Sequence, residues 1–89
     1  MNDINCYCWL EVKNNEIIYR ESYEQGGCSK HFNLEGQLHC TDGPAIIWGD
    51  CSNFQVCEYW VNGKFIGKCT TMDRTKMNEL EFKVMLYAE

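Results

Sequence analysis

Residues 36–48 read GQLHCTDGPAIIW, and the rest of the chain is arranged around them. The Asp-Gly-Pro segment at 42–44 is a turn signal, because Asp accepts main-chain hydrogen bonds, Gly tolerates unusual φ angles and Pro fixes φ. Residues 45–48 are apolar throughout, which is typical of a short strand buried on both faces. We expect the ring of His39 to bond the Asp42 carboxylate and so to hold the turn in place.

An N-terminal hairpin is predicted over residues 6–23. Apolar and polar side chains alternate along its first half, which is the period of a half-buried strand. Asn14 and Asn15 suit a two-residue turn because asparagine tolerates positive φ angles. Counting outward from this turn sets Lys13 opposite Glu16, and their opposite charges support the register.

The segments next to the central stretch carry weaker signals. Residues 25–29 are predicted to form a loop and 30–34 a short strand. A turn at 35–36 then lets 37–40 pair back along that strand. After the central stretch, residues 49–53 are predicted to form another loop.

A second clear hairpin follows. Residues 54–61 predict a strand, and Asn62-Gly63 is the strongest hairpin turn in the chain. Counting outward from that turn sets Val61 opposite Lys64, Trp60 opposite Phe65 and Tyr59 opposite Ile66. The residues assigned to structural turns are therefore His39, Asp42, Gly43, Pro44, Asn62 and Gly63.

Residues 71–89 fit either a helix or a strand. As a helix, the segment is capped by Asp73 and one face carries Met77, Leu80, Val84 and Tyr87. As a strand, the alternating face carries Leu80, Phe82, Val84 and Leu86. The helix is favoured because the segment is long, lacks Gly and Pro, and is rich in Glu, Leu, Met and Lys.

The predicted fold is therefore α+β, with one domain over residues 1–89. Stacked hairpins form a small antiparallel β-meander of five to seven short strands over 1–69. One C-terminal helix over 70–89 packs on a face of that sheet.

Segments 34–39 and 61–66 share the order apolar, polar, Gly, polar, apolar, and such a repeat indicates stacked hairpins. A wider pattern is met at Leu38, His39, Asp42, Gly43, Pro44, Ala45, Trp60, Asn62 and Gly63. With these residues, 35–67 resembles a family of short β-hairpin repeats loosely related to MORN repeats. Its consensus runs Gly-x-Leu-His-Arg-x-Asp-Gly-Pro-Ala, with a later Trp ahead of Asn-Gly.

The chain departs from this consensus at Cys40, where the family has arginine, and at 66–67, where a second Leu-His-Arg would begin. Such repeats occur in proteins of bacteria, phages and large viruses. The resemblance implies a β-meander scaffold and no particular reaction. For small phage proteins it also implies the binding of a host factor.

Composition limits the classes of partner. Eight basic and thirteen acidic residues give a net charge of -5, and the basic residues are scattered, which argues against nucleic acid. The seven cysteines are odd in number and the first residues lack the features of a signal peptide. We therefore expect reduced thiols and a cytoplasmic location. No apolar run approaches the length of a membrane span.

The sequence contains no complete catalytic set, so we expect no enzymatic activity. His39 and Cys40 are adjacent on a predicted strand and would point to opposite faces. Because no C-x2-C pair is present, we predict no metal ion and interpret the cysteines as small buried apolar residues. Zinc stays open as an alternative, with the candidate ligands Cys6, Cys8, Cys28 and His31.

The expected function is non-enzymatic binding of another protein, as an inhibitor of a host factor of the phage or mobile-element type. Aromatic and arginine side chains anchor many interfaces, and the candidates are Tyr7, Trp9, Arg20, Tyr59 and Trp60. A homodimer through an edge strand or the helix is expected because 89 residues give a thin core. Two alternatives stay open: a small zinc-stabilised domain, and a binder that sequesters a nucleotide-like ligand.

Overall fold

The computed structural model describes residues 7–23, 26–50 and 54–87. Six antiparallel strands form one sheet in which each strand pairs with the next along the chain. A single helix follows the last strand. The strands are β1 (Tyr7–Lys13), β2 (Glu16–Tyr23), β3 (Gly26–Asn33), β4 (Ile46–Asp50), β5 (Gln55–Val61) and β6 (Lys64–Thr70), and the helix is α1 (Arg74–Tyr87). The predicted α+β meander of successive hairpins with a C-terminal helix is confirmed.

Two hairpin turns form where the sequence predicts them. Asn14 and Asn15 have φ angles of 53° and 65°, and Asn62 and Gly63 have φ angles of 50° and 82°. Such left-handed pairs match the right-handed twist of the flanking strands. The β1–β2 register places Lys13 opposite Glu16, as predicted.

The β5–β6 register is confirmed near its turn and wrong further away. Trp60 lies opposite Phe65, and their ring centroids are 5.2 Å apart in an edge-to-face contact. Tyr59, however, lies opposite Gly67 rather than Ile66, because a β-bulge interrupts the ladder between Tyr59 and Trp60. The bulge places a residue without a side chain beneath the helix.

The middle of the sheet differs from the sequence prediction. The loop predicted over 25–29 is wrong for 26–29, because β3 already begins at Gly26 and pairs on both sides, and Gln25 lies outside the described residues. The loop predicted over 49–53 is wrong for its first two residues, which belong to β4, and its last three lie outside the described residues. Residues 37–40 do pair back along β3 as predicted, with an isolated antiparallel bridge between Leu38 and Phe32, but they form no regular strand.

Main-chain hydrogen bonds show what 37–40 do instead. The His39 N–H donates to the carbonyl of His31 (3.0 Å), and the Cys40 N–H donates to the carbonyl of Trp60 (3.0 Å). The His31 N–H in turn donates to the carbonyl of Ala45 (2.7 Å). Residues 37–40 therefore continue the line of β4 between β3 and β5, and residues 41–44 loop out of that line.

The two faces of the sheet are unlike. We call the face that carries α1 the helix face and the opposite one the open face. The main core lies on the helix face, where α1 contacts β5 and β6. It consists of Cys57, Tyr59, Val61, Cys69, Met77, Leu80 and Val84, with Ile47 and Ile66 packed against it.

The helix begins and packs as the sequence predicts. Its cap is Asp73, whose Oδ1 accepts the N–H of Lys76 at 3.0 Å. Met77, Leu80 and Val84 are its buried residues. The fourth residue predicted on that face, Tyr87, is 49% exposed, and its ring centroid lies 4.5 Å from the Nζ atom of Lys64 in β6. No helix in the described part of the chain has both the length and the apolar character needed to cross a membrane.

Candidate interaction surfaces

The predicted interaction residues do not form one surface. Trp9 and Arg20 lie opposite each other in β1 and β2, on the helix face. The assignment of Tyr59 to the surface is wrong, because its side chain is 0% exposed in the core. Trp60 lies half-buried on the open face, where its indole N–H donates to Glu58 (2.9 Å). Tyr7 begins β1, and its side chain lies outside the described part of the structure.

Trp9 and Arg20 border an open cleft of about 500 Å³ on the helix face. Its floor is made where β3 and β4 pair Gly27 with Gly49, two residues without side chains. Ser29 extends this floor, and the cleft passes between the β1–β2 hairpin and the first residues of β5. The cleft is therefore deepest where the two central strands of the sheet carry their smallest residues.

The glycine floor has a steric reason. A Cβ atom added at Gly27 would lie 2.8 Å from the carbonyl oxygen of Glu21, and one added at Gly49 would overlap the carbonyl oxygen of Phe54. Both neighbours are main-chain atoms, one in β2 and one just before β5, so they cannot move aside as a side chain would. Larger residues at these positions would push the strands apart, and the depth of the cleft depends on both glycines.

The open face carries much apolar surface without a covering layer in the described part of the chain. Leu10 and Val12 are 67% and 70% exposed at one side of it, and Phe65 is 49% exposed at the other. Half-buried apolar residues lie between them, namely Ile17, Phe32, Trp48, Val56 and Trp60. A sheet normally buries an apolar face against a second layer.

The metal ligands considered from the sequence are not brought together. Cys8 lies opposite Glu21 in β1, and Cys28 lies opposite the same residue in β3. With strands about 4.8 Å apart, two cysteines on either side of a strand are about 9–10 Å apart, too far for one ion. His31 is an odd number of residues from Cys28 and lies on the other face. Cys6 lies outside the described residues.

The predicted bond between His39 and Asp42 is also wrong. The Nδ1 atom of His39 accepts the N–H of Asn62 at 3.0 Å, so His39 joins residues 37–40 to the β5–β6 turn. The Asp42 carboxylate accepts the thiol of Cys40 instead, with a distance of 3.1 Å between Sγ and Oδ1. Gly63 donates its N–H to the carbonyl of Leu38 (2.8 Å), so the two segments of the internal repeat lie side by side.

Sequence reasoning missed one cluster of side chains. Glu16 and Cys40 come together with His31 on the helix face beneath residues 41–44. The signal that could have found it is the β2–β3 register, which pairs Ile18 with His31 and so places Glu16 nearby.

Comparison of the chain with known proteins identified no related protein. The chain matches no family model, no curated protein and no solved structure. The likeness to the hairpin-repeat family therefore rests on the residues of 35–67 alone, and function has to be argued from the surfaces described above.

Proposed function

We propose that the protein is a non-enzymatic protein-binding module, and that the cleft on the helix face receives an extended segment of its partner. The observation that carries this proposal is the placement of Trp9 and Arg20 beside a floor made by Gly27 and Gly49. Tryptophan and arginine are the residue types that most often dominate interface energetics. Support for a chain segment over a small ligand comes from the shape of the cleft, which is open and not enclosed.

The chemistry of the cleft specifies the partner. Arg20 is exposed and has no ion pair with any described residue, so its guanidinium is available to a carboxylate. Trp9 is 44% exposed and offers a broad apolar ring face. The glycine floor lets a partner's main chain approach closely. The expected partner is an extended segment that carries an acidic residue close to an apolar or aromatic one.

A peptide selection tests this proposal. We expect random peptides panned against the purified protein to converge on sequences with Asp or Glu near an aromatic or large aliphatic residue. The variant Arg20→Glu should lose these peptides, because it places a carboxylate against a carboxylate. The matched control is Lys83→Glu, which makes the same change of charge on the exposed side of α1. Peptides without an acidic residue, or peptides that bind Arg20→Glu as well as wild type, would overturn the proposal.

We propose further that a second copy of the chain covers the open face. The open face is favoured as the dimer interface over the edge strand or the helix because apolar residues cross it, from Leu10 over Trp48 to Phe65. The protein measures 46 × 30 × 17 Å, so its broad face is large enough for the roughly 800 Å² per partner that stable interfaces bury. Sheets pack face to face in this way with about 10 Å between them.

Sedimentation velocity tests the dimer. Wild-type protein at micromolar concentration should sediment with twice the chain mass of 10.4 kDa. Leu10→Lys should sediment as a monomer, because it brings an unpaired charge into the apolar interface. Glu11→Lys, one residue further along on the other face of β1, should stay dimeric. A monomeric wild type, or a dimer that tolerates Leu10→Lys, would contradict this arrangement.

The proposed location is the cytoplasm. Support comes from the cysteines, since none of the five described ones is in a disulfide. Cys57 and Cys69 lie directly opposite each other in β5 and β6, and both are thiols. Burial raises the pKa of each, which keeps them protonated and slow to oxidise. Reduced cysteines in this arrangement are typical of a reducing compartment.

A further inference from the structure

One group of metal-binding side chains lies outside the cleft and the open face. Glu16 is the first residue of β2, His31 lies in β3, and Cys40 ends the segment that continues the line of β4. One ligand atom from each of them lies within 4.8 Å of the other two. Three elements that are distant in the sequence thus present an imidazole, a thiol and a carboxylate at one point.

The spacing of these atoms suits a tetrahedral ion. The Nδ1 atom of His31 and the Oε1 atom of Glu16 are 3.4 Å apart. Two ligands bound to one tetrahedral zinc at about 2.0–2.1 Å would be about 3.4 Å from each other. A further carboxylate is adjacent, because the Oδ1 atom of Asp42 lies 3.1 Å from the Sγ atom of Cys40.

We propose that Glu16, His31 and Cys40 bind one zinc ion, with the fourth position left to solvent. Nitrogen, sulfur and carboxylate oxygen are the ligands zinc takes in proteins, whereas calcium and magnesium prefer oxygen alone. The Cys40 thiol gives its proton to the solvent, and the resulting thiolate sulfur binds the metal. The ion ties Cys40, just before the loop at 41–44, to the side chains of Glu16 in β2 and His31 in β3.

The surroundings of the site support this proposal. A cavity of about 370 Å³ opens beside Glu16, His31 and Asp42, which gives an ion a way in. Main-chain bonds hold two of the ligands, since His31 donates its N–H to Ala45 and Cys40 donates its N–H to Trp60. The ligand positions are therefore fixed by the sheet and not by a mobile loop.

Zinc binds the thiolate form of cysteine, so metal uptake at Cys40 releases the thiol proton.

Cobalt is the probe that tests the site, because it replaces zinc and its bond to a thiolate gives a charge-transfer band in the near ultraviolet. The full chain is reduced, freed of metal with a chelator and titrated with Co²⁺. We expect one Co²⁺ per chain, the charge-transfer band, release of one proton per ion in weak buffer, and loss of the band when Zn²⁺ is added. A folded wild-type protein that gives no band would overturn the proposal.

Three variants locate the site. Cys40→Ser should lose the band, and Glu16→Gln should keep it while binding Co²⁺ about tenfold or more weakly. Cys28→Ser is the matched control, since Cys28 lies on the open face and should not affect the band. A band that survives Cys40→Ser but not Cys28→Ser would contradict this ligand set. If Cys40→Ser does not fold, unchanged affinity in the half-exposed Glu16→Gln variant would contradict it equally.

Discussion

Replacing Leu80 with alanine lowers the free energy of unfolding by about 3 kcal/mol, the usual cost of deleting a buried leucine side chain. Leu80 is 1% exposed and lies in the middle of the three buried residues that join α1 to β5 and β6. A domain of this size has about 5–15 kcal/mol of stability, so this one change removes a large part of it. Urea unfolding followed by circular dichroism measures the loss.

The matched control for Leu80→Ala is Phe82→Ala, on the outer side of the same helix. Phe82 is 60% exposed, and its removal should change stability by no more than about 0.5 kcal/mol. Equal losses in the two variants would contradict the packing described for α1, and so would a cost below about 1 kcal/mol for Leu80→Ala.

The β-bulge between β5 and β6 leads to a second prediction about stability. A methyl group added at Gly67 would overlap the Cδ2 atom of Leu80, which is too buried to move aside. Gly67→Ala should therefore cost about 1–3 kcal/mol in the wild type and clearly less in the Leu80→Ala background. Additive costs would show that the two residues do not meet as described.

Trp9→Ala weakens binding of a selected peptide by about 30-fold, the loss expected when a central aromatic anchor of an interface is truncated. The reason is the position of Trp9 at the wall of the cleft, where the proposed binding mode sets its ring against an apolar side chain of the peptide. The cost to folding should be small, because β1 is an edge strand and every described side chain in it is exposed. Isothermal titration measures the affinity and thermal unfolding measures the stability.

The control for Trp9→Ala is again Phe82→Ala, which removes an exposed aromatic ring far from the cleft. Its affinity for the peptide should equal that of the wild type. A Trp9→Ala variant that binds within twofold of the wild type would show that the cleft is not the binding site. If Phe82→Ala lost the peptide instead, the binding site would lie on the outer side of α1 and not in the cleft.

The parts of the fold that were predictable from the sequence carry their own local signals. Asn14-Asn15 and Asn62-Gly63 tolerate the left-handed conformation that two-residue turns require, and the register follows by counting from them. The helix was predictable because residues spaced for one buried face follow a capping residue, Asp73. None of these features depends on the rest of the molecule.

The parts that were not predictable depend on distant neighbours. Gly26 and Gly27 have the composition of a loop, yet they extend β3 because β2 and β4 pair with them on both sides. The bulge at Tyr59 has no signal of its own, since it arises where the helix packs over Gly67. Local propensity was overridden by tertiary pairing in both places.

The candidate sites show the same division. Trp9 and Arg20 were recognised as a pair because they lie in a hairpin with a readable turn. Tyr59 was misplaced because its neighbours in sequence do not reveal that α1 covers it. The Glu16, His31 and Cys40 group was missed because it depends on the β2–β3 register, which the loop predicted over 25–29 left out, although the return of residues 37–40 was predicted.

The most direct test of the proposed function is an amide chemical-shift titration of ¹⁵N-labelled protein with a selected acidic peptide. We expect the largest shifts on the main-chain amides of Gly27, Ser29 and Gly49 and on the indole N–H of Trp9. The same resonances should stay in place when the acidic residue of the peptide is replaced by its amide. Shifts confined to the outer side of α1, at Phe82, Met85 and Leu86, would contradict a binding site in the cleft.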